Sequence, residues 1–375
     1  MNKLAPLLLL LAACGAAPAL PPAHAATSAR ETAARGGDAR RLLTEAAAAL
    51  RKGTKKADTQ ADALLKKAVA RDPSLWQAHH DLGVLALRRG DEPAARTHFG
   101  EAHTRAPDAV EPALALAAVD PERADKLLVE VLARVPDHHA ARLTHAAVLR
   151  ARGDFEGAAR EARTVLHAQP TALAPLLELA RAEHGAKRSK LAALVLERAE
   201  TVAGPRAAIE NERGLLALDG DDAQAALDHF TRATELDARF VPAHVNRAAL
   251  LLRGGDATAA ERAYRAALKV LESAGGEPGG SSEPDVRVGL GVALRAQNQH
   301  RAARREYERV LAAHPDHPAA LFDLGVLLAE SLDERKQAIA PFERYLASTP
   351  ASAPHRARAE RYLEDLRMSV GGPAP

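Results

Sequence analysis

The side chains able to do chemistry are 16 histidines, 49 carboxylates and a single cysteine, Cys14. Two histidine groups stand out: His79 and His80 with His98 and His103, and His138 and His139 with His145. A metal needs ligands converging at about 2.0–2.1 Å with supporting carboxylates, and neither an HExxH nor a CxxC spacing occurs. Adjacent helical residues point about 100° apart, so His79 and His80 cannot easily share an ion. One cysteine excludes a disulfide framework and any multi-cysteine metal site. Gly289-Leu290-Gly291 has the opening of a dinucleotide fingerprint, but no third glycine follows and no strand precedes it. Asp219, Asp221 and Asp222 lack the ligand spacing of a calcium loop. No nucleophile elbow or phosphate-cradling loop is present. These residues therefore nominate no catalytic group, metal ligand or cofactor, and the expectation is a protein that is not an enzyme.

The elements that carry these residues are helices. Residues 76–107, WQAHHDLGVLALRRGDEPAARTHFGEAHTRAP, read as two short amphipathic helices about a Gly90-Asp91 turn. The first carries Leu82 and Gly83, the second Ala95, Phe99 and Ala102. Charge is balanced, with 51 Lys and Arg interspersed among 49 Asp and Glu, and aromatics make up 3% of the chain. That excludes the basic, aromatic-bearing stripe of a nucleic-acid binder.

The L-G pair, the A-x3-F-x2-A run and the closing Pro107 resemble the tetratricopeptide repeat (TPR), a 34-residue helix-turn-helix unit. The resemblance implies an all-α solenoid, a right-handed superhelix in which units stack and no unit needs its own core. Nine units fit one register. Their first helices place a small residue at Ala49, Gly83, Ala117, Ala146, Ala180, Gly214, Ala248, Gly291 and Gly325. Their second helices place alanine at 61, 95, 124, 158, 192, 226, 260, 303 and 338, and four residues later a filler that plugs the gap between units. His145 falls on the inward position that Leu82 holds, which suits a packed imidazole.

Closing positions recur at spacings of 34, 29, 34, 34, 34, 34, 43 and 35. The short third unit must abbreviate its turn near Val119-Asp120-Pro121. The long interval carries SAGGEPGGSSEP, a Gly/Ser/Pro loop. The expected layout is units 1–7 over residues 42–272, the loop over 273–284, units 8–9 over 285–350, a capping helix over 351–370 and a disordered tail over 371–375. Gly90-Asp91, Gly153-Asp154 and Gly220-Asp221 are each expected to set a left-handed glycine before an N-capping aspartate.

Residues 1–25 have a basic start at Lys3, a short apolar run and a small-residue tail, the layout of a secretory signal. Leu11-Ala12-Ala13-Cys14 resembles the lipobox of bacterial lipoproteins, which implies lipidation of Cys14. Cleavage after Ala23-His24-Ala25 is the alternative. Gly15 after the cysteine implies, by the same resemblance, the outer membrane and its periplasmic face. Residues 15–41 would then be a flexible tether. The last unit, LFDLGVLLAESLDERKQAIAPFERYLASTP, is similar to TPR lipoproteins of myxobacterial gliding motility and pilus assembly.

In TPR proteins the first helices line a groove that binds peptides, and the register carries that role to this chain. It points to His80, Val84 and Leu87; to Leu143, Ala147 and Arg150; and to Arg181 and His184. Further on it gives Asn211 and Leu215; Val245 and Arg253; Val288, Val292 and Arg295; and Phe322 and Val326. As a set the arginines imply attraction for extended or acidic segments. The lysine and asparagine positions of the carboxylate-clamp repeats hold Asp81, Glu178 and Glu212 instead, with Asn246 alone matching, which disfavours a C-terminal-carboxylate site. The resulting expectation is a lipid-anchored scaffold of a multiprotein envelope machine that binds other envelope proteins. The alternative is a soluble periplasmic module binding peptides or cell-wall fragments.

Overall fold

A computed structural model of the chain describes residues 28–273 and 283–370. Nineteen α-helices and no strand occur among the described residues. They come as nine consecutive pairs: α1 (Ser28–Leu50) with α2 (Lys55–Arg71), α3 (Trp76–Arg88) with α4 (Glu92–Arg105), and α5 (Val110–Val119) with α6 (Pro121–Arg134). Next are α7 (His139–Ala151) with α8 (Phe155–Ala168), α9 (Leu173–Gly185) with α10 (Ser189–Ala203), and α11 (Ala207–Asp219) with α12 (Ala223–Leu236). The last three pairs are α13 (Val241–Arg253) with α14 (Ala257–Ser273), α15 (Glu283–Ala296) with α16 (His300–Ala313), and α17 (Pro318–Val326) with α18 (Arg335–Ser348). A final helix, α19 (Arg356–Val370), packs on α18. The helices form two compact units with a boundary after Gly220. No described helix is long and apolar enough to cross a membrane.

Within each unit the crossing of a pair is built on alanine. All nine second-helix alanines are buried, eight of them with no exposed surface and Ala124 with 1%. A methyl group at the crossing lets two backbones approach closely, where a longer side chain would overpack the contact. The fillers Leu65, Phe99, Leu128, Leu196, Phe230, Tyr307 and Phe342 are likewise fully buried.

A second rule links the filler to the facing helix. A Cβ added at Gly83 would stand 2.5 Å from the Phe99 ring, one at Gly291 2.4 Å from Tyr307, and one at Gly325 2.8 Å from Phe342. An aromatic filler therefore requires glycine at the crossing, whereas Leu65, Leu128 and Leu196 face Ala49, Ala117 and Ala180. Tyr264 is the exception in its own pair, opposite Ala248. Its ring reaches forward to Gly289, where a Cβ would come within 2.6 Å.

Turn chemistry follows the repeat register. Gly90 and Gly153 are left-handed (φ 75° and 86°), and Asp91 and Asp154 cap the next helices by accepting from Ala94 N (3.0 Å) and Gly157 N (2.8 Å). The expectation for Gly220-Asp221 is corrected. Gly220 has φ −87°, the left-handed residue is Asp221 (φ 58°), and the cap is Asp222, which accepts from Ala225 N at 2.9 Å. Aspartate tolerates this conformation better than most residues, and Asp221 is the residue that aligns with Gly90.

Changes in repeat length are absorbed where helices end. In the short third pair one residue makes the whole turn, since Asp120 closes α5 and its carboxylate accepts from Arg123 N (3.3 Å) to open α6. Arg96 Nε donates to the Val119 carbonyl (3.0 Å), satisfying a helix-end acceptor. In the ninth pair Gly325 and Ala338 are 13 residues apart instead of the 12 between Gly83 and Ala95, and α17 runs into a π-helical turn at Leu327–Ser331. That turn takes up the extra residue. At the start, α1 begins at Ser28, so helix replaces the expected tether from that residue on. Cys14 and the rest of the expected signal lie outside the described residues, as do 274–282 of the loop and the tail 371–375.

Candidate functional site

Consecutive first helices lie side by side in each unit: α3, α5, α7, α9 and α11 in the first, α13, α15 and α17 in the second. The groove residues sit on these helices, and the structure distributes them in three ways.

Charged groove residues pair across repeats in the first unit. Arg150 Nε donates to Glu178 Oε1 (2.7 Å), and Arg181 Nε donates to Glu212 Oε1 (2.8 Å). Arg181 Nη1 also lies 3.6 Å from Glu178 Oε2. Arg150, Glu178, Arg181 and Glu212 thus form an alternating ladder over α7, α9 and α11. Burial alone would lower the Arg181 guanidinium, but Glu212 and Glu178 together hold it above its ordinary range. At the ladder's edge His184 Nε2 and Lys187 Nζ meet Asp219 Oδ2 at 3.1 and 2.9 Å. In the second unit Arg295 and Asp323 repeat the pairing more loosely, 3.9 Å apart. Asp323 titrates above the usual carboxylate range because burial outweighs its cationic neighbours.

The sequence identified the arginines and missed their partners. Glu178 and Glu212 read only as departures from a carboxylate clamp, although both occupy the position just before the L-G pair, as Asp81 and Asp323 do. With Arg150 and Arg181 matched internally, an acidic segment would have to displace Glu178 or Glu212 to use them. Arg150 nonetheless keeps one donor, Nη2, that is shut off from solvent with no acceptor.

Other groove candidates are wholly or partly buried. Leu143, Asn211 and Val288 are 7%, 4% and 6% exposed, and Ala147 5%. Val84, Leu87, Leu215, Val245 and Val292 are half-buried, and His80 lies between the Trp76 and Phe99 rings with Nδ1 3.4 Å from Asp81 Oδ1. Arg253 is exposed.

Phe322 and Val326 are covered. They retain 4% and 1% exposure, and the segment after the last repeat folds over Phe322. His355 stacks on Phe322 (4.5 Å, 20°), Arg358 lies 5.7 Å from the same ring, and Tyr362 stacks on Phe342 (5.0 Å, 9°). These two groove assignments are therefore corrected: the cap, not a ligand, occupies the face of Phe322, and Val326 is buried in the core.

Histidines serve structure at several positions. His138 and His317 cap α7 and α17, their Nδ1 atoms accepting from Ala141 N (3.0 Å) and Ala320 N (3.3 Å). His145 is not simply packed, since Nε2 meets Asp125 Oδ1 at 3.0 Å and Nδ1 meets Glu161 Oε1 at 3.3 Å. Burial would lower its pKa, but these two carboxylates raise it above the ordinary value. Burial lowers His79, His98 and His103. No group of three or more His, Cys, Asp or Glu is arranged to hold a metal among the described residues.

Residues 211–278 and 288–353 match the tetratricopeptide repeat family. Among solved structures, a tetratricopeptide repeat protein from Parabacteroides merdae ATCC 43184 superposes with a TM-score of 0.55 at 14% identity, covering 69% of this chain and 99% of that one. The APC/C hetero-tetramer Cut9-Hcn1 gives 0.51 at 12% identity over 84% of this chain, which spans 63% of the length of that chain. At such identities the likeness concerns the fold. No curated protein matches the sequence.

Proposed function

We propose, from the premise that this chain is a tetratricopeptide-repeat solenoid, that it is a non-enzymatic scaffold which holds partner proteins on its first-helix face. The observation that carries this is the ladder over α7, α9 and α11. Its charges are fixed by internal pairing, Arg150 to Glu178 and Arg181 to Glu212, and the same row of first helices carries half-buried aliphatics such as Leu215. A polar face whose charges are already paired can be covered by a partner without leaving a buried charge unmatched. TPR folds are protein-interaction scaffolds, and the repeated helix pairs here offer that kind of surface.

The finer reading is that the scaffold is anchored by lipid at Cys14, on the periplasmic face of a bacterial outer membrane, and helps to assemble an envelope machine. Leu11-Ala12-Ala13-Cys14 supports the anchor. Three acyl chains of the kind bacterial lipoproteins carry exceed the two-signal threshold for stable membrane attachment. Cys14→Ala is expected to move the protein from the membrane to the soluble fraction; unchanged membrane attachment refutes the anchor. Cross-linking in intact cells should recover envelope proteins with wild type and lose them with Arg150→Ala and Leu215→Asp. Equal recovery with both variants refutes the first-helix face as the docking surface.

A further inference from the structure

Arg247 on α13 occupies a register position held by a cation-forming residue in only two other repeats. Counted from the L-G pair, that position is Leu82, Leu116, His145, Leu179, Arg213, Arg247, Leu290 and Leu324 in units 2 to 9. His145 and Arg213 are each neutralised by two carboxylates. His145 has Asp125 and Glu161, and Arg213 has Glu210 (2.8 Å) and Glu200 (2.6 Å).

Arg247 has none of them. The residues aligned with Asp125, Glu161, Glu210 and Glu200 are Leu227, Ala263, His244 and Thr234. Arg247 makes no ion pair among the described residues, and its Nε is closed off from solvent without an acceptor. Beside it is a recess of about 170 Å³ lined by His244, Arg247, Ala259, Arg262, Ala263 and Ala266. Among the described residues no acidic side chain lines it. Arg262 makes no ion pair among the described residues either, the adjacent Glu261 being engaged by Arg265 and Gln297, both at 2.8 Å. His244 Nε2 donates to the Ala238 carbonyl (2.9 Å).

We propose that this recess binds a carboxylate, supplied by a small free acid or by an acidic side chain of a partner. The argument is one of absence by comparison within a single molecule. The same position in sibling repeats is completed by a carboxylate of the chain, and here alanine stands where Glu161 stands, leaving both the charge and the space. The volume suits the group, since a cavity of about 150 Å³ admits a ring the size of benzene. Two arginines line the recess, and each guanidinium is the planar donor fork that carboxylates favour. The site lies between α13 and α14 of one repeat, and none of its lining residues is among the groove candidates on α13, Val245 and Arg253.

The test uses the full chain with succinate and with a blocked Ala-Glu-Ala peptide as probes, against sodium chloride at equal ionic strength. Succinate or the peptide should raise the melting midpoint of wild type above the chloride control. Arg262→Ala, at the rim, and Ala263→Glu, which installs the carboxylate of the sibling repeats, should each weaken binding at least about tenfold. Ala263→Glu should also melt higher than wild type in the absence of ligand. Binding of succinate identifies a free acid as sufficient; binding of the peptide alone identifies a partner's side chain. No stabilisation of wild type by either probe, or equal binding by wild type and both variants, overturns the proposal.

Discussion

Arg150, Glu178, Arg181 and Glu212 join α7, α9 and α11 through ion pairs of 2.7–2.8 Å, whereas Phe322, Phe342 and Tyr362 join α17, α18 and α19 through ring contacts of 5.0–6.0 Å. Both regions stand on the same alanine-centred crossing, Ala158 and Ala192 in one and Ala338 in the other. The difference shows that the crossing leaves the inter-repeat face free in its chemistry. Over the last three first helices of the first unit that face is polar and internally neutral, which leaves it open to a partner without an unmatched charge. At the chain's end it is apolar and consumed by the cap, as a terminal repeat requires.

The contrast predicts different responses to the same perturbations. The largest effect is expected at the aromatic end. Phe342→Ala removes a fully buried ring and should cost about 3–5 kcal/mol. Hydrogen exchange should rise across α17 to α19, with little change on adding salt. A loss confined to low salt would erase the distinction between the two regions.

Glu212→Ala should cost about 1–3 kcal/mol, because it leaves the Arg181 guanidinium without its closest partner. Urea titrations at low and at 1 M salt check it, and the loss should shrink in salt. Equal losses would mean that Glu212 acts by packing alone.

The third prediction concerns pH. His145 has a raised folded pKa, so its stabilising contribution is complete below the ordinary value of 6.5 and is lost as pH climbs through the folded value. His98 has a lowered folded pKa and acts in the opposite sense, its contribution being present above 6.5 and lost as pH falls. His145→Gln should flatten the decline of stability above pH 6.5, and His98→Gln should flatten the decline below it. The same slopes in wild type and variants would remove these histidines from the account.

The smallest effect is expected at the rim of the cap. Arg358→Ala should cost about 0.5–1 kcal/mol, the loss of a partly exposed cation over the Phe322 and Tyr362 rings. No change in the melting midpoint would show that the ring stacks alone hold the cap.

Much of this architecture was legible in the residues. The alanine at each crossing, the fillers and the short third unit are local patterns, and the burial of Ala95, Phe99 and their counterparts follows the register. The glycine rule is also carried by the residues, but it emerges only when the two helices are set against each other, as Gly83 is against Phe99. The partners of the groove arginines were less accessible, because Arg150 and Glu178 are 28 residues apart and belong to different repeats. Phe322 was misassigned for a related reason. Its register is that of an open groove residue, and only the path of the chain after the last repeat brings His355 onto its ring.

The single-residue elbow at Asp120 and the π turn at Leu327–Ser331 bear on how such a chain can change over generations. A copying slip that removes codons can be absorbed by merging a helix stop and a helix start in one aspartate. One that adds a codon can be absorbed by widening a single turn. Neither moves an alanine off its crossing. Length is thus a neutral variable in this fold over several residues, and duplicated units can diverge in size while each still recognises its neighbour.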